Sequence, residues 1–248
     1  MKKINTLVCL AAMAAPLGAQ ADFIGASIGG GMWNASPSGT IQKTNNPGES
    51  ELDIDKDLYW GSNNNVYAFA TLEHPVPILP NVRLMYTRIS QDGEGPANFT
   101  FDGISYTGNV KNDFTIATTD LLFYYEILDN VVSVDLGLNI RNLSVDYTIT
   151  ETGSSTTSSD SSSQTIPMLY GMVGASPIPD LLISGELSYI AYSGSTISDF
   201  TAKVSYTTSF FVGVEAGYRK QQYTFDDVND TNADLSFDGV FAGAYVKF

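Results

Sequence analysis

Cysteine, histidine, long apolar runs and basic residues are all scarce in this chain of 248 residues, and each shortage excludes something. The single cysteine, Cys9, cannot form a disulfide within the chain. The single histidine, His74, leaves no His-Glu-x-x-His metal site, and no Gly-x-Ser-x-Gly elbow or phosphate-binding loop is present. Beyond the first residues no apolar stretch approaches the roughly 20 residues that a membrane helix needs, so a helical membrane protein is excluded. Twelve basic residues face 27 acidic ones, a net charge of −15, which argues against nucleic acid or an anionic lipid surface as a partner.

What is present begins with a leader. Lys2 and Lys3 precede the apolar stretch Leu7 to Ala15, and Ala19-Gln20-Ala21 has the small-x-small form of a cleavage site. Residues 1–21 are expected to be a signal peptide removed before Asp22, leaving 22–248 as the working domain. The cut discards Cys9, Lys2 and Lys3, and the net charge becomes −17.

The remainder alternates strand-like runs with turns rich in Gly, Pro, Asn, Asp and Ser, and no stretch holds a helical period. Residues 131–141 carry the clearest signal: Val132, Val134, Leu136, Leu138 and Ile140 alternate with Ser133, Asp135, Gly137, Asn139 and Arg141. In the last run Val240, Ala242, Ala244, Val246 and the terminal Phe248 share a face without a charge. Similar runs fall at 22–33, 65–74, 82–89, 114–126, 165–175, 182–192, 200–206 and 211–219, giving ten strands. In 165–175 both phases are apolar, so no face is assigned. Merging runs between 182 and 226 would give eight.

Across these runs the aliphatic phases are nearly free of charge. The opposite phases collect Glu73, Arg83, Asp120, Glu126, Asp135, Arg141, Glu186, Lys203, Glu215, Arg219 and Lys247. Enclosing so many ionic groups in a soluble core would be very costly, whereas they suit the polar interior of a transmembrane barrel with hydrocarbon outside. The expected fold is therefore all-β, a transmembrane antiparallel up-and-down barrel of ten strands, with eight as the alternative. Six acidic and five basic groups in so narrow a barrel point to mutual pairing and a plugged lumen. A thin ion path is the competing possibility. Inward Tyr124, Phe241 and Tyr245 give some support to a conduit for a hydrophobic molecule.

Connections alternate between long polar loops and short turns, many with proline. Acidic external loops are expected around 34–57, 90–112, 148–164 and 226–234. Two of them hold acidic clusters, Asp53 to Asp57 and Asp230 to Asp234, that lack the glycine and glutamate of a calcium hand loop, so no metal is assigned. Trp33, Tyr59, Trp60, Tyr86, Tyr106, Tyr125, Tyr147, Tyr192, Tyr206 and Tyr218 fall mainly near strand ends, where rings favour the headgroup level. His74 lies beside the proline-rich turn 75–80, away from an external rim, and no catalytic residue or cofactor is expected.

With the leader, the segments Gly25-Ala26-Ser27-Ile28-Gly29-Gly30-Gly31-Met32-Trp33 and Gly213-Val214-Glu215-Ala216-Gly217-Tyr218-Arg219, and the end from Phe237-Asp238-Gly239 to Phe248, the chain resembles a family of small Gram-negative outer-membrane barrels with a glycine-rich first strand. The resemblance implies a fold and a place in the bacterial outer membrane, but no activity. Phe248 is then expected to serve membrane insertion. The expected partners are outer-membrane lipid, lipopolysaccharide and the barrel-assembly machinery, and the oligomeric state is left open. The function read from the sequence is a structural or surface-interaction barrel. The alternative is a narrow porin-like channel or a transporter of a small solute or hydrophobic molecule.

Overall fold

The computed structural model describes residues 25–76 and 78–248. The expected leader, with Cys9, lies outside the described residues. Among the described residues thirteen strands follow one another: β1 Gly25–Lys43, β2 Leu52–Asp53, β3 Asn63–Glu73, β4 Asn81–Pro96, β5 Phe99–Phe101, β6 Ile104–Tyr106, β7 Asn109–Asp129, β8 Val132–Glu151, β9 Thr157–Ala175, β10 Leu181–Tyr192, β11 Ser195–Thr207, β12 Val212–Phe225 and β13 Thr231–Lys247. Ten of them form one antiparallel sheet in the order β1, β3, β4, β7, β8, β9, β10, β11, β12, β13, and β13 pairs back onto β1 to close it. β5 and β6 make a separate hairpin, and β2 adds two residues to the end of β1.

The start of β1, the end of β13 and the turns joining β3 to β4, β7 to β8, β9 to β10 and β11 to β12 share one end of the barrel, and the loops share the other. In barrels of this type the turn end faces the periplasm and the loop end the cell exterior.

Much of what the sequence suggests as external loop is strand. Residues 34–43, 90–96, 109–112, 148–151, 157–164 and 231–234 continue the wall, so of the loops expected around 34–57, 90–112, 148–164 and 226–234 there remain the long connection 44–62, the segment 97–108 with its β5–β6 hairpin, and the short connections 152–156 and 226–230. The reason is an inversion of phase. In β8 the apolar residues Leu136, Leu138 and Ile140 face outward, whereas from three residues further on Leu143, Val145, Tyr147 and Ile149 face inward beneath outward Asn142, Ser144, Asp146 and Thr148. β7 does the same, from outward Leu121 to inward Ile116, Phe114 and Val110. So does β13, from outward Val240 to inward Phe237, Leu235 and Ala233. Backbone pairing continues through each inversion, so only the solvent around the wall has changed. The turn-end half has an apolar outside and a polar inside, as lipid demands. The loop-end half has a polar outside and an apolar inside, as water demands.

The connection 44–62 folds into the loop-end half. Its Leu52, Ile54, Leu58 and Trp60 join Trp33, Ile89, Phe101 and Phe114 in one buried cluster. Trp60 donates to Asn112 Oδ1 at 2.6 Å, and Asn112 in turn donates to the Leu58 carbonyl at 2.9 Å. The β5–β6 hairpin turns on Asp102 and Gly103, both with positive φ, as a two-residue hairpin of this kind requires. Asp102 ties the hairpin to the wall by accepting bonds from Asn45 at 2.9 Å and Ser158 at 3.0 Å, and the Asn45 bond leads in holding its carboxyl below the usual range. Trp33, Trp60, Tyr106 and Tyr147 therefore belong to the interior. Tyr86, Tyr125, Tyr206 and Tyr218 stand exposed on the outer face, where an interfacial belt would lie.

Candidate functional site

At mid-barrel the inward positions of β7, β8, β11 and β12 meet. Asp199 of β11 accepts from Arg141 Nη2 at 2.5 Å, from Arg219 Nε and Nη2 at 2.9 and 2.7 Å, and from Gln221 at 2.8 Å. Asp120 holds the other side of Arg141, through Nε at 2.7 Å and Nη2 at 3.1 Å, and also accepts from Asn139. Arg219 donates to Thr87 Oγ1 at 3.0 Å and lies 5.2 Å from the Trp33 ring centre. Two guanidinium forks shared between two carboxylates form a rigid, directional lattice.

A second layer lies on the turn-end side. Glu186 accepts from Arg83 at 2.7 Å and Lys203 at 2.9 Å, and Lys203 is 3.5 Å from Glu215. Tyr67 donates to Glu215 at 2.8 Å and Tyr170 to Glu186 at 3.2 Å. Below it Tyr124 donates to Glu73 at 2.8 Å, and Asp135 is buried nearby on β8. The voids beside these layers measure about 50 and 30 Å³. A single water needs about 10–15 Å³, so each has room for only a few.

Of the eleven charged positions singled out in the sequence, Glu73, Arg83, Asp120, Asp135, Arg141, Glu186, Lys203, Glu215 and Arg219 lie in this lumen. Glu126 and Lys247 are exposed at the turn end. The residue that joins the upper layer, Asp199, is absent from that set because the sequence reading starts its strand at Phe200. β11 begins at Ser195, and its alternation carries Asp199 inward. His74 is held in the β3–β4 turn, 3.2 Å from the Pro80 carbonyl, with Nδ1 accepting from Val76 N at 3.3 Å. The acidic cluster 53–57 is spent on its own turn: Asp53 pairs with Lys56 and accepts from the backbone of Asp55 and Lys56. Among the described residues no group of three or more His, Cys, Asp or Glu side chains is placed to hold a metal.

Above the charged layers, in the loop-end half, lies a cavity of about 660 Å³. Its walls include Phe114, Ile116, Leu143, Ile166, Ile197 and Leu235, and Tyr223 is at its base. The Tyr223 hydroxyl donates to Gln221, which in turn donates to Asp199, so the cavity floor is hydrogen-bonded to the ion lattice. The cavity exists because connection 44–62 fills only one side of the interior. Tyr124, Phe241 and Tyr245, the aromatics taken from the sequence as signs of a conduit, lie in the charged half and do not line it. Tyr124 bonds Glu73 and Tyr245 bonds Thr207.

Ten antiparallel strands closed on themselves, greasy outside and ion-paired within, define an integral β-barrel of the bacterial outer membrane. A solved structure agrees on the fold. The outer-membrane protease OmpT of Escherichia coli superposes with a TM-score of 0.58 at 11% identity, over 91% of this chain and 96% of that one. Ail, the attachment invasion locus protein of Yersinia pestis, and a major outer membrane protein of Thermus thermophilus match less well. Their TM-scores are 0.41 and 0.42, at 12% and 13% identity, each over 91% of this chain and 99% of the other. No protein-family model and no curated protein sequence matches the chain.

Proposed function

We propose that this barrel takes up a small hydrophobic molecule in a cup at its external end, above a lumen sealed by paired charges. Of the roles expected from the sequence, this keeps the plugged lumen and selects the hydrophobic ligand from the transport alternative. It assigns no chemical step to the chain. The observation that carries it is the apolar cavity of about 660 Å³, which lies within the roughly 300–1,000 Å³ of small-molecule sites. A purely structural barrel has no need to leave such a volume empty, because an unfilled void forfeits packing energy. The lattice below argues against an open pore, since Asp120, Arg141, Asp199 and Arg219 are all nearly inaccessible to solvent.

Photolabelling tests the reading. Proteoliposomes are loaded with 3-trifluoromethyl-3-phenyldiazirine, a neutral hydrophobic carbene source, and irradiated. Adducts are expected on Leu143 and Ile166 as well as on lipid-facing Leu138 and Val240. Ile197→Trp should narrow the cup and lower the cavity adducts about tenfold, a loss of roughly 1.4 kcal/mol of affinity, and leave those on Leu138 and Val240 unchanged. Adducts confined to the lipid-facing residues would remove the cup from consideration.

A further inference from the structure

The barrel wall is incomplete on one side of the cup. The β9–β10 ladder runs from Ala175–Ile183 to Leu169–Tyr189 and stops. Beyond that pair β9 continues from Met168 back to Thr157 while bonded only to β8, and Ile190 to Tyr192 of β10 pair only with β11. Had the register continued, Pro167 would face Ala191, and a proline has no N–H with which to extend a ladder. The free edge of β9 is rich in serine and threonine, polar cover for an unpaired strand.

Two observations show that the cavity reaches through this seam. Residues of both faces of β9 line it: Ile166 from the inward phase, and Ser161, Thr165 and Pro167 from the outward phase. A closed wall would present only one face to an interior void. Tyr192, in the inward phase of β10, also lines the cavity and is 81% exposed. The seam starts where the lipid-facing surface ends, since its last closed pair joins Leu169, 71% exposed, to Tyr189, with Leu138 and Leu187 exposed beside them.

We infer that the seam between β9 and β10 is a side entrance through which a small hydrophobic molecule dissolved in the outer leaflet reaches the cup. The inference rests on the cup reading and adds the route. Leu169 and Pro167 on one strand and Tyr189 and Tyr192 on the other form an apolar sill between the lipid-facing surface and Ile166 and Ile190 inside. A hydrophobic molecule crossing there avoids the water above the loop end, where its transfer is opposed by the full hydrophobic effect.

The test bridges the seam. Gln164 of β9 and Thr196 of β11, which pairs with Ala191 of β10, both line the cavity. In a Cys9→Ser background, Gln164→Cys and Thr196→Cys are joined by a bis-maleimide, with the unjoined double variant as control. The same diazirine is dissolved in the lipid, and cavity adducts are counted in flashes given seconds after mixing and again after overnight equilibration. Bridging is expected to cut the early cavity adducts about tenfold while leaving the overnight yield intact through the loop end. Gln164→Trp, which narrows the seam without a bridge, is expected to slow the same early step. Equal early labelling in joined and unjoined protein would overturn the side entrance and leave the cup standing. Absence of cavity adducts at every time, in the unjoined control as well, would overturn the cup and the entrance together.

Discussion

Replacing Asp199 with alanine is expected to destabilise the barrel by about 3–5 kcal/mol, because it leaves the buried Arg219 without its counter-charge. Arg141 would keep Asp120, but Arg219 would be left with Thr87 and the Trp33 ring. The urea midpoint of unfolding in detergent micelles measures the loss. Adding Arg219→Met to Asp199→Ala should recover part of it, since the stranded charge is then removed with its partner. Lys56→Ala provides the comparison: its pair with Asp53 is 76% and 34% exposed and screened by water, so removing it should leave the urea midpoint essentially unchanged. If Asp199→Ala unfolds at the same urea concentration as the unaltered protein, the lattice is not holding the interior together.

A valine at Gly243 is expected to be nearly as damaging, for a steric reason. Gly243 faces inward on the closing strand, and a Cβ there would collide with the Tyr67 hydroxyl and crowd the Gly30 carbonyl. Tyr67 would have to leave Glu215, to which it donates at 2.8 Å. Overpacking at about 1–3 kcal/mol and loss of a hydrogen bond to a charged group at about 1.5–3 kcal/mol together threaten closure of β13 on β1. Gly185→Ala is the matched control, since a Cβ at that position meets nothing within 4 Å. The fraction of chain that migrates as folded barrel on an unheated gel should fall sharply for Gly243→Val and stay unchanged for Gly185→Ala. Equal behaviour of the two would mean that the glycines of β1 and β13 make no room for Tyr67.

The turn-end half of the barrel was legible in the sequence because one rule governs it. Val132 to Ile140 alternate without interruption, and the ionic residues opposite them face the lumen. The same rule hid the loop-end half. A reading that follows one apolar face ends the strand at Arg141, where the pattern breaks, although Leu143, Val145, Tyr147 and Ile149 resume the alternation with the opposite parity. The shift in parity is itself a signal, repeated in β7 and β13, and it marks where the wall leaves lipid. Asp199 was lost to the same habit, one position before the start assigned to its strand. The cavity had no local signature. It depends on how far the 44–62 connection fills the interior, a property of packing between segments distant in sequence. The open seam left one trace, Pro167 within an otherwise strand-like run.

The inversion of the apolar face underlies the sealed lumen, the cup and the seam alike, and β8 tests it within a few residues. Nitroxide labels are placed singly at Leu138→Cys, Leu143→Cys and Ser144→Cys in a Cys9→Ser background. Their collisions with oxygen, which concentrates in lipid, and with a water-soluble nickel chelate are compared in vesicles. Position 138 should meet oxygen, position 144 the chelate, and position 143 neither freely. Strong oxygen contact at 143 with shielding at 144 would mean that the greasy face stays outward along the whole strand, and the cup could not exist.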